Sequence, residues 1–266
     1  MMRRTLVGML CGFILAFLLD AGGGAHAQIA DINAAINKAG RERMLSQRMA
    51  KLYLQIGQGV DVTRSKQLLN DSVAQFDRQL VELKNFAPTP EIRETYLKLE
   101  KSWIAYKDVL IGASPSQQGG ARVLALSDEV MQLANHGVGQ LEKHAGTTSG
   151  RLVNLAGRQR MLSQRMALFY QAANWNIETG RALPEIDKAR KEFNGALKEL
   201  AAAPSNTSML RDQLELARQQ WFFFENAIDQ RGSGESKLAV NVATTSERLL
   251  EVMDNIASLY ERVGAK

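Results

Sequence analysis

The sequence predicts an all-α protein made of two tandem up-down-up-down four-helix bundles. Apolar residues recur at spacings of three and four, no segment alternates with a period of two, and one twelve-residue segment occurs twice. We call the copies, residues 39–50 and 156–167, the Arg-rich segments; they differ only at Glu42 against Gln159. Because short connections between long amphipathic helices favour antiparallel neighbours, each copy of the module should form its own bundle.

The duplication extends over the whole module. The offset of 117 residues that aligns the Arg-rich segments also pairs Phe76 with Phe193, Leu80 with Leu197, Leu83 with Leu200, Leu97 with Leu214 and Leu99 with Leu216. With a gap of one or two residues, Trp103 pairs with Trp221 and Ser127-Asp128 with Ser246-Glu247. We therefore predict two domains, module 1 at residues 28–146 and module 2 at 151–266.

Helix breakers divide both modules at matching places. In module 1 we expect helices near 29–58, 62–86, 90–112 and 119–145, and in module 2 near 151–179, 183–202, 206–230 and 236–263. The connection at 146–150 decides how the modules join. If it turns, the two first helices lie parallel and adjacent; if it stays helical, the modules stack end to end. Its two glycines and two threonines favour the turn.

The N-terminus has the layout of a secretory signal peptide. Arg3 and Arg4 precede an apolar run from Leu6 to Leu19, and small residues follow up to Ala27. We therefore expect residues 1–27 to be removed and the protein to be periplasmic; an uncleaved signal would anchor it in the inner membrane. Removal takes the formal charge from +5 to +4, an excess too small to indicate a nucleic-acid partner.

One face of each first helix carries the arginines. At 100° per residue, Gly40, Arg43, Met44 and Gln47 share a face with Asn37 and Arg48 at its edge, and module 2 repeats it with Asn154, Gly157, Arg160, Met161, Gln164 and Arg165. The opposite stripe, with Leu45 and Met49, is the predicted core. A glycine lets another helix approach closely, and paired guanidinium groups suit a small anion held between two such helices.

Two other interpretations of these arginines stay open. They could form a solvated basic face, as most charge clusters on helices do. They could also pair with carboxylates of neighbouring helices, for example Asp77, Glu82 or Asp128.

Both Arg-rich segments resemble the type IV pilus methyl-accepting chemotaxis transducer N-terminal domain, the PilJ-type domain. They are also similar to the P-box helix of nitrate and nitrite sensor kinases, whose pattern Asn-x-Ala-Gly-x-x-Arg-Met-x-Ser-x-Arg is met from Asn37 to Arg48 and from Asn154 to Arg165. The resemblance implies periplasmic four-helix sensory bundles that bind an anion such as nitrate or nitrite between paired first helices.

The implied ligand-binding residues follow from that pattern. Arg43 and Arg160 are the expected primary anion contacts, Arg48 and Arg165 support them, Gly40 and Gly157 permit close approach, and Asn37 and Asn154 complete the site. The paired helices would come from the two modules or from two chains of a homodimer. Since the sequence contains no kinase or methyl-accepting region, we expect a membrane-bound signalling or envelope protein to relay the signal.

Catalysis has no visible residues to support it. There is no nucleophile with a base, no phosphate-binding glycine loop and no carboxylate pair in a recognisable setting, so we predict a non-enzymatic protein without a cofactor. A hidden lyase or hydrolase would need a positive activity screen. His136 and His144 are eight residues apart and lack further ligands, so no metal site is predicted.

A different function rests on Trp221-Phe222-Phe223-Phe224. Consecutive residues of a helix point in all directions, so part of this run must face something other than its own core. Packing in the core together with packing between the modules is the expected use, and a docking patch for a partner protein is the alternative. The alternative function is therefore a helical periplasmic adaptor or scaffold that binds an envelope, pilus or receptor protein without a small ligand.

Overall fold

In the computed structural model, residues 29–230 and 236–264 are described, and they form eight α-helices and no β-strand. The helices are α1 (Ile32–Gly57), α2 (Val62–Phe86), α3 (Pro90–Gly112), α4 (Gln117–Ala145), α5 (Thr148–Asn174), α6 (Thr179–Ala201), α7 (Ser208–Asp229) and α8 (Ser236–Gly264). The predicted tandem all-α architecture is confirmed. The predicted signal peptide, residues 1–27, lies outside the described residues.

Side-chain caps explain where several helices begin. Asp31 accepts a hydrogen bond from the Ala34 amide at 2.8 Å, and Thr89, Ser116, Thr147 and Thr207 cap α3, α4, α5 and α7 in the same way. These side chains satisfy backbone amides that have no partner in the first turn of a helix. The short capped connections reverse the chain and give the up-down-up-down order.

The two bundles have matching cores. Phe76 stacks on Trp103 with ring centroids 4.1 Å apart, and Phe193 stacks on Trp221 at 4.3 Å. Each indole lies on the third helix of its bundle and is buried against a phenyl ring of the second helix. The same aromatic pair at equivalent places supports an origin by duplication of the entire bundle.

The pairing of Leu97 with Leu214 and of Leu99 with Leu216 is wrong. Leu97 is 49% exposed whereas Leu214 is 3% exposed. The buried residues of the third helices match at an offset of 118; they are Ile92, Tyr96, Leu99, Trp103, Tyr106 and Leu110 in α3 and Leu210, Leu214, Ala217, Trp221, Phe224 and Ile228 in α7. Module 2 has one more residue between Leu200 and Leu210 than module 1 has between Leu83 and Ile92, and in the fourth helices the offset becomes 119, as Ser127 and Ser246 show.

The boundary between α5 and α6 also differs from the prediction. The helix α5 ends at Asn174, before the expected 179, and α6 already begins at Thr179 with Pro184 inside it. A proline at the sixth helical position removes the hydrogen bond to the carbonyl of Gly180. Gly180 is exposed, so water can bond to that carbonyl and the helix continues through the proline.

The connection at 146–150 turns. Gly146 adopts a left-handed conformation with φ of 61°, which ends α4, and Thr147 caps α5. Asn33 donates to Ser149 at 3.3 Å near the start of α1, and Asn174 donates to Gln58 at 2.7 Å near its end. The first pair joins the starts of the two helices and the second pair joins their ends, so α1 and α5 run parallel. They form the contact between the modules.

This arrangement has two consequences. Each of α1 and α5 packs on its own bundle and on the other first helix, so the Arg-rich segments are almost entirely buried. The start of α1, the 146–150 turn and the end of α8 also share one end of the molecule, where Gly264 lies against Ser149 and Asn33. None of the described helices combines the length and apolarity needed to cross a bilayer.

Candidate functional site

The centre of the α1–α5 contact is a glycine pair. A Cβ atom built on Gly40 would lie 3.7 Å from the Cα of Gly157, and one built on Gly157 would lie 3.7 Å from the Cα of Gly40. The same Cβ atoms would lie 3.3 and 3.1 Å from Nη2 of Arg160. The two glycines therefore let the helix backbones meet while leaving room for guanidinium groups beside them.

Each primary arginine reaches across to the other module. Nη2 of Arg43 donates to the backbone oxygen and to Oδ1 of Asn154, at 3.3 and 3.1 Å. Nη2 of Arg160 donates to the same atoms of Asn37, at 3.1 and 2.8 Å. Both arginines are fully buried, so the solvated basic face is excluded for them. The structure thus brings together six predicted site residues: Asn37, Gly40, Arg43, Asn154, Gly157 and Arg160.

Arg43 and Arg160 differ in the partner that their Nη1 atom binds. Nη1 of Arg160 forms an ion pair with Asp254 at 2.5 Å, whereas Nη1 of Arg43 donates to the neutral Oδ1 of Asn135 at 2.8 Å. Asn135 and Asp254 occupy equivalent positions at the offset of 119. Arg160 is therefore neutralised within its own module, and Arg43 has no carboxylate in direct contact.

The pKa values of the two arginines follow this difference. Burial, with a smaller effect of the nearby charges of Arg158 and Arg160, lowers the pKa of Arg43 to about 9. Burial lowers the pKa of Arg160 to about 10, because Asp254 opposes part of the effect. The cationic form of Arg43 is thus the less well compensated of the two.

The two asparagines connect the arginines to more distant carboxylates. Nδ2 of Asn154 donates to Glu142, and Nδ2 of Asn37 donates to Glu261, again at equivalent positions. Each amide therefore accepts from an arginine and donates to a glutamate. Because the Asn154 amide lies between Glu142 and Arg43, the carboxylate compensates the guanidinium charge less than a direct ion pair would.

The supporting arginines lie on the flanks of the contact and bind carboxylates. Arg165 donates to Asp128 at 2.7 Å and to Glu185 at 2.8 Å, and Arg48 forms an ion pair with Glu247. The pairing with Asp128 that the sequence left open is thus observed, across the two modules. Asp77 and Glu82 pair instead with Lys107 and Lys38.

Sequence reasoning missed a buried lysine in the same contact. Nζ of Lys51 lies 2.6 Å from Glu247, 2.7 Å from Gln164 and 3.1 Å from Ser246. Although burial would raise the pKa of Glu247, Lys51 and Arg48 hold it at about 2. The sequence does contain a signal for this lysine, because the equivalent position in module 2 is the apolar Leu168, which indicates a buried position.

The comparison with known families decides the classification. The family described as type IV pili methyl-accepting chemotaxis transducer N-term (PilJ) matches residues 26–128 and 146–247. The chain belongs to the PilJ family. Its two PilJ repeats confirm the predicted tandem PilJ-type domains and indicate a sensory, non-catalytic role with a membrane-associated signalling partner. Domains of this family are typically periplasmic. Searches among curated proteins and among solved structures found no match.

Two grooves flank the contact between the PilJ repeats. The α1–α2–α8 groove has a volume of about 300 Å³ and includes Asp254, Arg41 and Arg48 in its wall. The α4–α5–α6 groove has a volume of about 230 Å³ and includes the equivalent Asn135. Solvent therefore reaches the outer side of Asn135, whose inner side contacts Arg43.

The remaining sequence predictions concern residues outside this contact. Trp221 and Phe224 are buried in the core of module 2, whereas Phe222 and Phe223 are 61% and 55% exposed, so the expected packing of the run between modules is wrong. The reason is that α7 packs on α8 and α6, which are helices of its own repeat. His136 is exposed, and among residues 29–230 and 236–264 no group of three potential metal ligands lies together.

Proposed function

We propose that the protein is an exported sensor that binds one small anion, such as nitrate or nitrite, at Arg43. The observation that supports this is that module 1 has Asn135 at the position where module 2 has Asp254. A buried cation without a direct counter-charge is unfavourable. An anion that takes the place of the Asn135 amide oxygen would supply to Arg43 the charge that Asp254 supplies to Arg160.

The α4–α5–α6 groove offers the route to this position. It is roomier than a nitrate ion needs, and Arg158 and Asn135 lie in its wall. Asn135 is exposed, so its side chain can move aside without unfolding α4. Module 2 keeps its arginine occupied through Asp254, so the proposal expects one anion per chain.

The same contacts couple binding to the packing of the modules. Arg43 holds α5 through Asn154, and Arg160 holds α1 through Asn37. An anion that draws Arg43 toward the groove weakens its bond to Asn154 and shifts the packing of α1 on α5. A ligand that prefers one packing changes the population of that packing, which a membrane-associated partner can detect.

Calorimetry with nitrate, nitrite and chloride on the purified protein tests the proposal. The wild type should bind one nitrate per chain, and Asn135→Asp should bind none because the new carboxylate occupies the position. Asp254→Asn should create a second site at Arg160. Nitrate binding by Asn135→Asp with wild-type heat and stoichiometry would refute the assignment, and so would a wild type that binds no small anion.

A thermal-shift measurement with Arg43→Ala and Arg160→Ala provides the second readout. A ligand that binds only the folded state raises the melting temperature. The double variant should lose the nitrate-dependent rise. Circular dichroism must first show that it retains its helices, because both side chains are buried.

Export and assembly are part of the same proposal. N-terminal sequencing of protein recovered from the cell envelope should begin at Gln28. Because α1 and α5 already supply the paired helices, the anion site needs no second copy of the chain. Light scattering with and without nitrate should therefore give the same mass; a nitrate-dependent dimer would instead place the site between chains.

A second candidate is an adaptor that binds an envelope, pilus or receptor protein. The exposed rings of Phe222 and Phe223, with centroids 5.8 Å apart on the outer side of α7, favour it. This function expects no effect of anions on melting temperature. It expects loss of a co-purifying envelope protein in the variants Phe222→Ala and Phe223→Ala.

A further inference from the structure

The α1–α2–α8 groove contains more cations than carboxylates. Its wall carries Arg41, Arg48, Arg64, Arg248, Glu247, Glu251 and Asp254, and the buried cations Lys51 and Arg160 also bind two of these carboxylates. The groove thus brings six cationic groups near three carboxylates, and Asp254 and Glu247 are the carboxylates that form ion pairs. Asp254 serves both Arg41 and Arg160, and Glu247 serves both Arg48 and Lys51.

Two arginines of this groove take no part in these ion pairs. Arg64 on α2 and Arg248 on α8 are both exposed, and neither forms an ion pair with any residue in 29–230 or 236–264. The two helices form opposite walls over α1. Arg64 and Arg248 therefore present unpaired guanidinium groups from two sides of a cavity of about 300 Å³.

The equivalent position in the other repeat shows that this is not a general feature of the fold. Arg181, the counterpart of Arg64, pairs with Asp128, Glu178 and Glu185. In module 1 the counterpart of Glu185 is Leu68. The two repeats thus share the arginine, but the acid at this position is found in module 2 and not in module 1.

The counterpart of Arg248 differs as well. Glu129 of α4 occupies the equivalent position in module 1, so the charge is reversed between the repeats. Met44, Leu68 and Leu250 add apolar surface to the same groove. The groove therefore combines two free guanidinium groups with an apolar part between them.

We infer that the α1–α2–α8 groove binds a small organic dicarboxylate, with one carboxylate on Arg64, the other on Arg248 and the carbon chain against Met44, Leu68 and Leu250. A guanidinium donates two parallel hydrogen bonds to a carboxylate, which suits a ligand with one acidic group at each end. The site is separate from the nitrate position at Arg43, and the inference does not depend on that proposal.

Calorimetry with succinate and glutarate, and with acetate as the single-charge control, tests the inference on the whole chain. The wild type should bind one dicarboxylate, more tightly than acetate and more weakly as salt increases. Arg64→Gln and Arg248→Gln should each lower the affinity about tenfold or more. The matched variant Arg181→Gln, in the other repeat, should leave the affinity unchanged.

Leu68→Glu restores the acid of the other repeat and should weaken binding as strongly as removing Arg64. Both arginines are exposed, so their variants should keep the helical circular dichroism of the wild type. A wild type that binds neither dicarboxylate, or equal affinities in the wild type and both arginine variants, would overturn the inference.

Asn135→Asp separates the two sites. It should abolish nitrate binding and leave dicarboxylate binding intact. If it abolishes both, the dicarboxylate binds at Arg43 and the groove inference is wrong, while the nitrate proposal stands. If it abolishes neither, the nitrate proposal fails and the groove is judged by the Arg64 and Arg248 variants alone.

Discussion

Replacing Glu42 with glutamine should remove a pH dependence from the stability of the protein. The carboxyl group of Glu42 is fully buried, and neither of its oxygens has a hydrogen-bond partner. Gln159, the one difference between the Arg-rich segments, donates instead to the backbone oxygen of Phe193 at 2.9 Å. The structure therefore provides a neutral reference for the same position.

Burial raises the pKa of Glu42 well above its ordinary value. Arg41 and Lys38 act against this rise, and Asp77 and Glu82 add to it. The folded protein consequently keeps a proton on Glu42 at a pH where the unfolded chain has lost it.

The magnitude follows from that single proton. In the unfolded chain a glutamate ionises near pH 4.3. Below this pH the protonated Glu42 contributes its full stability, and the contribution is lost as the pH rises toward the raised pKa of the folded state. One proton corresponds to a loss of about 1.4 kcal/mol in the free energy of unfolding per pH unit. Glu42→Gln cannot ionise and should show no such loss.

Urea unfolding followed by circular dichroism, at several values between about pH 5 and pH 7, measures the difference. The stability of the wild type relative to Glu42→Gln should fall with the slope given above. The reciprocal variant Gln159→Glu should introduce a comparable slope through module 2. Parallel curves for the wild type and Glu42→Gln would show that Glu42 is ionised in the folded protein and would refute the reasoning.

Two further predictions concern packing. Gly40→Val should lower the free energy of unfolding by about 1–3 kcal/mol, because its Cβ would lie 3.3 Å from Arg160. Gly139→Val, where a Cβ meets nothing within 4 Å, should change it by less than about 0.5 kcal/mol in the same urea titration. Phe224→Ala should cost about 3–5 kcal/mol because the ring is fully buried, whereas Phe222→Ala should be nearly neutral. Equal costs within either pair would contradict the packing described.

Periodicity and breakers predicted the helices well. Six of the sixteen helix ends coincide with the prediction, and the largest error is at the end of α5. At the start of α6, Pro184 suggested a later beginning, but the exposure of Gly180 lets the helix continue through the proline. The parallel contact of α1 and α5 depended on one turn, which composition favoured but could not fix.

The sequence predicted the part of the candidate site that lies on α1 and α5, but not the part that lies on the fourth helices. Near-identity of the Arg-rich segments singled out Arg43, Arg160 and the glycine pair, and the structure brings them together; their role in binding stays a prediction. Asn135 and Asp254 were missed because they lie on the fourth helices, where the repeats have drifted to a different offset. Which polar side chain meets a buried arginine depends on that register, and a single sequence does not reveal it.

The turn at 146–150 joins two related helices that a homodimer would have to supply from separate polypeptides. In a symmetric assembly every substitution appears twice, so the two halves cannot be given different chemistry. Fusion removes that restriction. Asp254 can therefore serve as a permanent internal counter-ion on one side while Asn135 stands on the other, and in the proposed sensor a single chain would carry a fixed reference half beside a responsive half.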